Sequence, residues 1–257
     1  MIFVATTGWS IPRSVTTHFP GEGTHLQRYA RVLPGAEINT SFYRNHSRET
    51  YARWASQTPR SFRFAVKLPR TITHDARLRD ARGQLAEFLR GVRGLGARLG
   101  PLIVQLPGSE PYDARVARTF FGLLREHHDG AVVCEPRHAS WFEPAAQRLL
   151  IRQRIGRIAA DPAVVPAAAQ PGGWLGIVYY RLHGSPKKYW SIYEPVRVSA
   201  WSRALASSPR RTPAWCVFDN TAAGGALSNA LQMTRLVHQG STRSSAPSNP
   251  RAHRHLD

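Results

Sequence analysis

The sequence predicts one α/β domain, a single (β/α)8 barrel of the TIM type with a disordered tail at its C-terminus. Eight short apolar runs recur at intervals of about 30 residues, which is the length of a strand, a turn and a helix. Seven of these runs end in polar or charged side chains, and barrels carry their sites at the carboxyl ends of their strands. The chain of 257 residues also has the size of such a barrel. Because the intervals are uneven, we expect an irregular barrel.

The eight apolar runs are the predicted strands, because each is short and is bounded by polar or turn-forming residues. They are Ile2–Thr6, Ala36–Ile38, Phe62–Val66, Leu102–Val104, Ala131–Cys134, Arg157–Ala160, Ile177–Tyr180 and Trp215–Phe218.

Apolar residues at helical spacing predict the helices between these strands. Thr24 and Ser47 are the predicted N-caps of the first two helices, since a hydroxyl there accepts a hydrogen bond from a free backbone N–H. Further helices are predicted over 83–98, 113–126, 144–152 and 222–237, and the stretch 163–175 is predicted to be irregular. The predicted domain covers residues 1–238. Residues 239–257 are polar without periodicity and form the predicted disordered basic tail.

Composition limits the class of protein. No apolar stretch approaches 18 residues, so no membrane partner is expected. The N-terminus is typical of a first strand rather than of a signal peptide, and both cysteines lie inside apolar runs, so a cytoplasmic protein is expected. The net charge of +19 is compatible with nucleic-acid binding. Nucleic acid is not the favoured partner, because the basic residues are scattered and nearly all are arginine, a bias that a GC-rich coding sequence produces by itself.

The candidate site is the set of polar residues at or just beyond the strand ends. The candidate catalytic residues are Glu37, Lys67, Glu135 and His183. The candidate substrate-binding residues are Asn39, Tyr43, His74, Gln105, Arg137, Trp141, Asp161, Arg181, Asn220, Gly224 and Gly225. Burying unpaired polar groups costs on the order of several kcal/mol, so the barrel mouth is expected to be wet, internally paired or filled by a ligand.

Glu135 and Arg137 follow the fifth run and have two interpretations. The carboxylate can abstract a proton, bind a metal or hold a sugar hydroxyl, and the guanidinium can bind an anion through two parallel hydrogen bonds. In the alternative, the two side chains form a buried salt bridge that shapes the loop.

Two pairs of polar residues are predicted to point to the same side of their strands, because strand side chains alternate between faces. One pair is Arg181 and His183, where the imidazole suits acid–base chemistry, metal ligation or a structural bond to a loop carbonyl. The other pair is Glu37 and Asn39, followed by Tyr43, whose ring can stack on a sugar.

Lys67 is one of three lysines in a chain that otherwise uses arginine, which favours a compact charge or a tunable amine at this position. Gly224 and Gly225 precede the last helix, and barrels often bind phosphate there through the free N–H groups of a helix N-terminus. In the alternative, the two glycines only permit close packing and Asn220 is an N-cap.

Eight segments of the chain, taken in order, carry a recognisable pattern. They are GWSIP (8–12), EINTSFYR (37–44), FRFAVKLPRTITH (62–74), LGPLIVQLP (99–107), CEPRHASWF (134–142), AADP (159–162), YYRLHGSPKKYW (179–190) and FDNTAAGGALSNA (218–230). Together they resemble the YecE-like family, domain of unknown function number 72, over about residues 1–237. The resemblance implies a TIM-type barrel related to sugar isomerases. One departure is segment 13–20, which lacks the family's second tryptophan and its Phe-Tyr-Pro.

The motif positions of that family point to a set of site residues in this chain. They are Glu37, Asn39, Lys67, His74, Gln105, Glu135, Arg137, Trp141, Asp161, Arg181, His183 and Asn220.

The leading hypothesis is an enzyme that acts on a small polyhydroxylated anion, such as a sugar phosphate. The expected anion-binding residues are Lys67, Arg137, Arg181, Gly224 and Gly225. Glu135 or Glu37 would act as the base and His183 as the acid, which is compatible with isomerisation, epimerisation or hydrolysis.

A divalent metal is a candidate cofactor, because Mg²⁺ and Mn²⁺ prefer oxygen-rich sites. Its candidate ligands are Glu37, Glu135, Asp161 and His183. Two other classes of protein remain open. One is a nucleic-acid-directed protein, either a phosphodiesterase or an RNA-binding accessory, and the other is a noncatalytic barrel that binds a small molecule.

Overall fold

Strands and helices alternate along the chain in the computed structural model, which describes residues 1–209 and 211–243. The strands within these ranges are β1 (Ile2–Thr6), β2 (Gly35–Ile38), β3 (Arg63–Lys67), β4 (Leu99–Gln105), β5 (Val132–Glu135), β6 (Ile155–Arg157), β7 (Ala159–Asp161), β8 (Gly172–Gly173), β9 (Val178–Leu182) and β10 (Ala214–Phe218). The α-helices are α1 (His25–Ala30), α2 (Arg48–Ser56), α3 (Arg82–Val92), α4 (Ala114–His127), α5 (Pro144–Arg152), α6 (Pro195–Ala206) and α7 (Gly225–Arg243). In the same ranges, no helix is both long and apolar enough to cross a membrane.

The strands form two sheets that are parallel except for the short β8. The order is β1-β10-β9-β7 in one sheet and β2-β3-β4-β5-β6-β8 in the other. Two features connect them: β6 continues into β7 across Ile158, and Thr7 forms an isolated parallel bridge with Glu37. All eight predicted runs are therefore strands, and the sixth is split in two. The fold is a mixed α/β fold with parallel sheets, and the described ladders do not make one closed barrel.

The helix predictions hold in most places and fail in three. The helix predicted over 83–98 changes at Arg93 into a 3-10 helix that runs to Arg98. Helix α6 is not predicted at all, because an exposed Val196 blurs its apolar face. Helix α7 continues to Arg243, so residues 239–243 are helical rather than part of a tail. The rest of the predicted tail, 244–257, lies outside the described residues.

The two faces of the sheets bury different sets of side chains. One face packs against the helices and forms the larger apolar cluster. On the other face, side chains from β1, β3, β4, β5, β9 and β10 pack against one another around Trp215. Its indole stacks on Phe3 and on Tyr179, with ring centroids 4.6 and 5.9 Å apart. A Cβ at Gly100 would lie 3.0 Å from this indole, so the close approach favours glycine there. Aromatic rings thus fill this face near the amino ends of the strands.

Tyr29 links β1 to β2, where the ladder is reduced to a single bridge. Its buried hydroxyl accepts a hydrogen bond from the Thr6 N–H at 2.9 Å and donates one to the Gly35 carbonyl at 2.9 Å. Burial raises the pKa of this hydroxyl well above its usual value, so it stays protonated.

Replacing Tyr29 with phenylalanine is expected to lower the free energy of unfolding by about 1 to 2 kcal/mol, because two buried backbone groups lose their partner. Urea unfolding measures this effect. The matched control is Tyr112→Phe, which removes only an exposed 3.4 Å bond to the Ala145 carbonyl and is expected to change stability little. Equal effects of the two substitutions would contradict the assigned role of Tyr29.

Candidate functional site

The polar residues at the strand ends meet at one edge of the fold, since the main strands run parallel and their carboxyl ends share that edge. Eight of these side chains are buried. They are Glu37, Lys67, Gln105, Glu135, Arg181, His183, Asp219 and Asn220. Tyr179 and Arg181 point to the same side of β9 because strand side chains alternate between faces. Tyr179 packs in the cluster around Trp215, and Arg181 lies two residues closer to the carboxyl ends of the strands.

Arg181 is the centre of this group. Its Nε contacts both carboxylate oxygens of Glu37 at 3.1 Å, and its Nη2 donates to Glu37 Oε1 at 2.7 Å. Nη1 donates to Gln105 Oε1 at 3.2 Å and to Glu135 Oε2 at 3.0 Å. Nη2 also lies 3.1 Å from Asp219 Oδ2. One buried guanidinium therefore contacts three buried carboxylates, and we call these four residues the Arg181 network (Arg181, Glu37, Glu135 and Asp219).

His183 bridges two carboxylates of the Arg181 network. Its Nε2 lies 2.9 Å from Glu135 Oε1 and its Nδ1 lies 2.9 Å from Asp219 Oδ2. Burial alone would raise the pKa of the Glu135 carboxyl, but the charges of His183, Arg181 and Arg137 outweigh it and hold that pKa well below its usual value. Burial likewise opposes Arg181 and His183 at Asp219, whose pKa is lowered to about 2. Ionised carboxylates only accept hydrogen bonds, so the His183 ring is held between two acceptors.

Glu37 is saturated by donors. Besides the contacts to Arg181, its Oε2 accepts a hydrogen bond from the Tyr179 hydroxyl at 3.0 Å and its Oε1 one from Thr7 Oγ1 at 3.4 Å. The geometry therefore favours structural roles for Glu37, Glu135 and His183, which the sequence presented as candidate base and acid. For Glu135, the geometry favours the alternative of a buried salt bridge. Arg181 and His183 are its partners in addition to Arg137.

Lys67 differs from every other charge in this group. Its side chain is only 5% exposed, and Nζ lies 3.8 Å from the centroid of the Phe42 ring. Among the described residues it has no hydrogen-bond acceptor for Nζ and no carboxylate within 4.0 Å. Burial lowers the pKa of Lys67, and the nearby positive charge of Arg181 lowers it further, to about 8.

His74 and Arg137 lie beside Lys67. The half-buried His74 packs edge-on against the same Phe42 ring, 4.9 Å between centroids. Burial lowers the pKa of His74, and the charges of Lys67 and Arg137 lower it further, to about 4, so the ring is neutral at pH 7. Arg137 is 22% exposed and directs Nε and Nη2 to Glu135 Oε1, each at 3.2 Å. We call Lys67, His74 and Arg137 the mouth cluster.

Several predicted site residues do not join these groups. Trp141 is buried in the core and donates its indole N–H to the Glu110 carbonyl at 3.0 Å, so no ring nitrogen is left for a substrate. Asp161 pairs instead with Arg197 of α6 at 2.6 Å. Tyr43 is 76% exposed and contacts Phe42 edge-on. Asn39 is half-buried, and its Oδ1 is buried without a partner among the described residues.

The segment before α7 packs tightly instead of leaving an open phosphate site. A Cβ at Gly225 would lie 2.5 Å from Ile192 Cγ1, and Gly224 has a φ of +75°, which favours glycine. Asn220 donates to the Ser191 carbonyl and to Asn229 Oδ1, each at 3.0 Å. This supports the alternative in which the glycine pair permits close packing, and Asn220 fastens the loop 184–193 rather than capping the helix.

Asp219 is the important residue that the sequence prediction leaves out. It directly follows β10, the same signal that marked the other strand-end residues, but only the tertiary structure shows that it contacts Arg181 and His183. The proposed metal ligands do not converge, because the Arg181 guanidinium lies between Glu37 and Glu135 while Asp161 lies with Arg197. Over residues 1–209 and 211–243, no group of three or more His, Cys, Asp or Glu side chains is placed to hold a metal ion.

The family follows from the sequence of nearly the whole chain. Residues 3–254 match the family described as "Protein of unknown function DUF72". The chain belongs to the DUF72 family. This confirms the resemblance that the eight motif segments carry.

Curated relatives of this DUF72 chain come from bacteria. It is 32% identical over 174 residues to the UPF0759 protein YecE of Escherichia coli K12, a match that covers 65% of this chain and 62% of that protein. The chain thus spans less than two thirds of the length of that relative. It is 22% identical over 278 residues to the UPF0759 protein YunF of Bacillus subtilis, covering 92% of this chain and 95% of the relative.

Solved DUF72 structures share the fold. A protein from Enterococcus faecalis superposes with a TM-score of 0.75 at 20% identity, covering 100% of both chains. One from Thermotoga maritima superposes with a TM-score of 0.76 at 22% identity, covering 93% of this chain and 99% of the other.

Proposed function

We propose that this DUF72 protein is an enzyme that binds a small polyhydroxylated anion, of the sugar phosphate type, with its mouth cluster. One observation carries the proposal: the buried Lys67 amine has no anionic partner among the described residues, while every carboxylate of the Arg181 network is already paired. The Lys67 amine therefore has unused hydrogen-bond donors at the mouth. An anion supplies the missing partner.

The geometry redistributes the roles expected from the sequence. The side chains of the Arg181 network and His183 are buried and paired with one another. The mouth cluster supplies the groups that contact the substrate. Proton transfer is most efficient for a group whose pKa lies near the working pH. The pKa of Lys67, at about 8, meets this condition, whereas the lowered pKa of Glu135 makes it a weak base. Isomerisation or epimerisation of a sugar phosphate uses this kind of acid–base chemistry.

Two further expectations belong to this proposal. The two sheets act as one irregular (β/α)8 barrel, supported by the β6–β7 continuation, the Thr7–Glu37 bridge and the side chains of six strands that pack against one another on one face. The location is cytoplasmic, supported by two buried cysteines that are not paired in a disulfide, Cys134 and Cys216.

Arg137→Gln is expected to weaken the binding of D-ribose 5-phosphate and of inorganic phosphate at least about tenfold, since a hydrogen bond to a charged group contributes about 1.5 to 3 kcal/mol. Titration calorimetry at pH 7 measures both. Binding by the wild type should also weaken above pH 8, where Lys67 loses its proton. The control is Arg82→Gln, which removes an exposed arginine paired with Glu126.

No binding by the wild type, or an equal loss in both variants, would refute the anion-binding role. A nucleic-acid-directed function is the second candidate. The favouring observation is an exposed basic and aromatic loop, in which Lys187 Nζ lies 4.7 Å above the ring of Trp190, itself 50% exposed. If a single-stranded oligonucleotide displaced the phosphate at physiological salt, this second candidate would lead.

A further inference from the structure

The amine of Lys67 has the surroundings of a nucleophile rather than of an ordinary ion-pair partner. A buried lysine is normally paired with a carboxylate, because an isolated ammonium is costly to bury. Here the carboxylates nearby are held by Arg181, and Nζ lies 3.8 Å from the centroid of the Phe42 ring. Burial next to another cation is the arrangement that leaves a lysine amine unprotonated and reactive.

We propose that Lys67 forms an imine with the carbonyl carbon of an open-chain aldose or ketose phosphate. This inference rests on the proposed function and deepens it, because it names the reacting group of the substrate. Arg137 binds the phosphate, to which Lys67 contributes while it is protonated, and the carbonyl carbon lies at Lys67 Nζ in the fraction of molecules whose amine has lost its proton. The neutral His74, which shares the Phe42 ring with Lys67, lies beside the reacting atoms.

The reaction balances without any oxidant or reductant. The unprotonated amine of Lys67 attacks the carbonyl carbon, and the carbonyl oxygen takes up a proton to give a carbinolamine. The nitrogen then expels this oxygen as water, forming a protonated imine. The positive imine draws electrons from the neighbouring carbon and acidifies its C–H bond. Removal of that proton and its return to the opposite face of the same carbon epimerises the sugar, and water then hydrolyses the imine, which releases the product and restores Lys67.

The supply of free amine favours this step at neutral pH. At pH 7.5, an amine with a pKa of about 8 is about one quarter unprotonated, whereas an ordinary lysine is only about 0.1% unprotonated. The chain also provides its own controls, because its other two lysines, Lys187 and Lys188, lie in the loop after β9.

The experiment is reductive trapping on the full chain. The protein is incubated at pH 7.5 with dihydroxyacetone phosphate or D-ribose 5-phosphate and sodium cyanoborohydride, which delivers hydride to the imine carbon and leaves a stable secondary amine. Peptide mass spectrometry then locates the adduct. We expect labelling of Lys67 at least about tenfold faster than labelling of Lys187 or Lys188, in line with its larger share of free amine. Labelling of the Met1 amine is followed separately.

Two variants sharpen the result. Lys67→Arg keeps the positive charge and cannot form an imine, so it should lose the trapped adduct. The double variant Lys187→Arg, Lys188→Arg should retain both the adduct and its rate. Circular dichroism checks that each variant is folded.

The outcomes separate this inference from the proposed function. An adduct confined to Lys67 supports both. Phosphate binding without any adduct overturns the imine and leaves the anion site intact. Equal labelling of Lys67, Lys187 and Lys188 overturns the special reactivity of Lys67. Absence of both phosphate binding and adduct overturns the two proposals together.

Discussion

Arg181→Leu is expected to lower the free energy of unfolding by about 3 to 5 kcal/mol at pH 7, the typical cost of removing one partner from a buried ion pair. The variant keeps three buried carboxylates and removes the guanidinium that contacts all of them. Their charges then lie close together with less compensation. Urea unfolding followed by circular dichroism measures the loss.

The pH dependence of this loss identifies its cause. In the wild type, the pKa of Asp219 is lowered to about 2, so its contribution is fully present above its unfolded pKa near 4 and is lost as the pH falls toward 2. In the variant, burial raises the carboxyl pKa values, and protonation relieves the repulsion as the pH falls from 7 to 4. The stability difference between wild type and variant should therefore shrink over this range.

Arg137→Leu is the matched control for Arg181→Leu. Arg137 is partly exposed and pairs with one carboxylate of the network, Glu135, so its loss should cost about 1 kcal/mol. If Arg181→Leu fails to fold, Arg181→Lys keeps the charge and tests the geometry alone. A cost for Arg181→Leu that stays constant with pH, or that is no larger than the cost of Arg137→Leu, would contradict its role as the shared counter-ion.

Lys67→Met is expected to raise the free energy of unfolding at pH 7, by up to about 3 kcal/mol. The pKa of Lys67 falls from 10.5 unfolded to about 8 in the fold, and a tenfold change in an equilibrium corresponds to about 1.4 kcal/mol. Methionine has a similar length and needs no partner. Most substitutions of buried residues destabilise the fold, so an increase in stability would indicate that the buried Lys67 ammonium is a cost to the folded state.

The sign of the pH effect follows from where the proton binds. Below pH 8, Lys67 is charged in both states, and the folded state carries the full cost of burying it. Between pH 8 and 10.5 only the unfolded state holds the proton, so the cost declines, and above that range it is gone. The advantage of Lys67→Met should decline in parallel. All other titratable groups are common to both proteins, so their contributions cancel in the difference.

Lys187→Met serves as the control for Lys67→Met. Lys187 is exposed, and its replacement should change stability by about 0.5 kcal/mol or less at any pH. Lys67→Met should at the same time lose the anion binding, so stability and function move in opposite directions. The prediction would be wrong if Lys67→Met lowered the stability and the difference from the wild type did not change between pH 8 and 10.5. Such a result would show that burying the charged amine carries no net cost in the fold.

Local patterns along the chain predict the strands and some of the helices, but not all of the helices. The strands were predictable because each buried run is encoded locally, and the apolar spacing of α4 and α5 likewise predicted them closely. Helix α6 could not be predicted in this way, because tertiary contacts rather than a continuous apolar face stabilise it. Helix α7 runs past the predicted end because backbone hydrogen bonds continue through polar residues.

The sequence by itself determined which polar side chains stand at the strand ends, and with them the family. Only the tertiary structure decided how those side chains pair. Glu37 and Arg181 are 144 residues apart and meet through the register of separate strands. Asp161 pairs with Arg197 instead of joining the Arg181 network, whereas Asp219 contacts Arg181. A side chain's neighbours along the chain set its secondary structure, whereas its partners across the sheet depend on distances that only the folded backbone defines. The same pairing leaves Lys67 unpaired among the described residues.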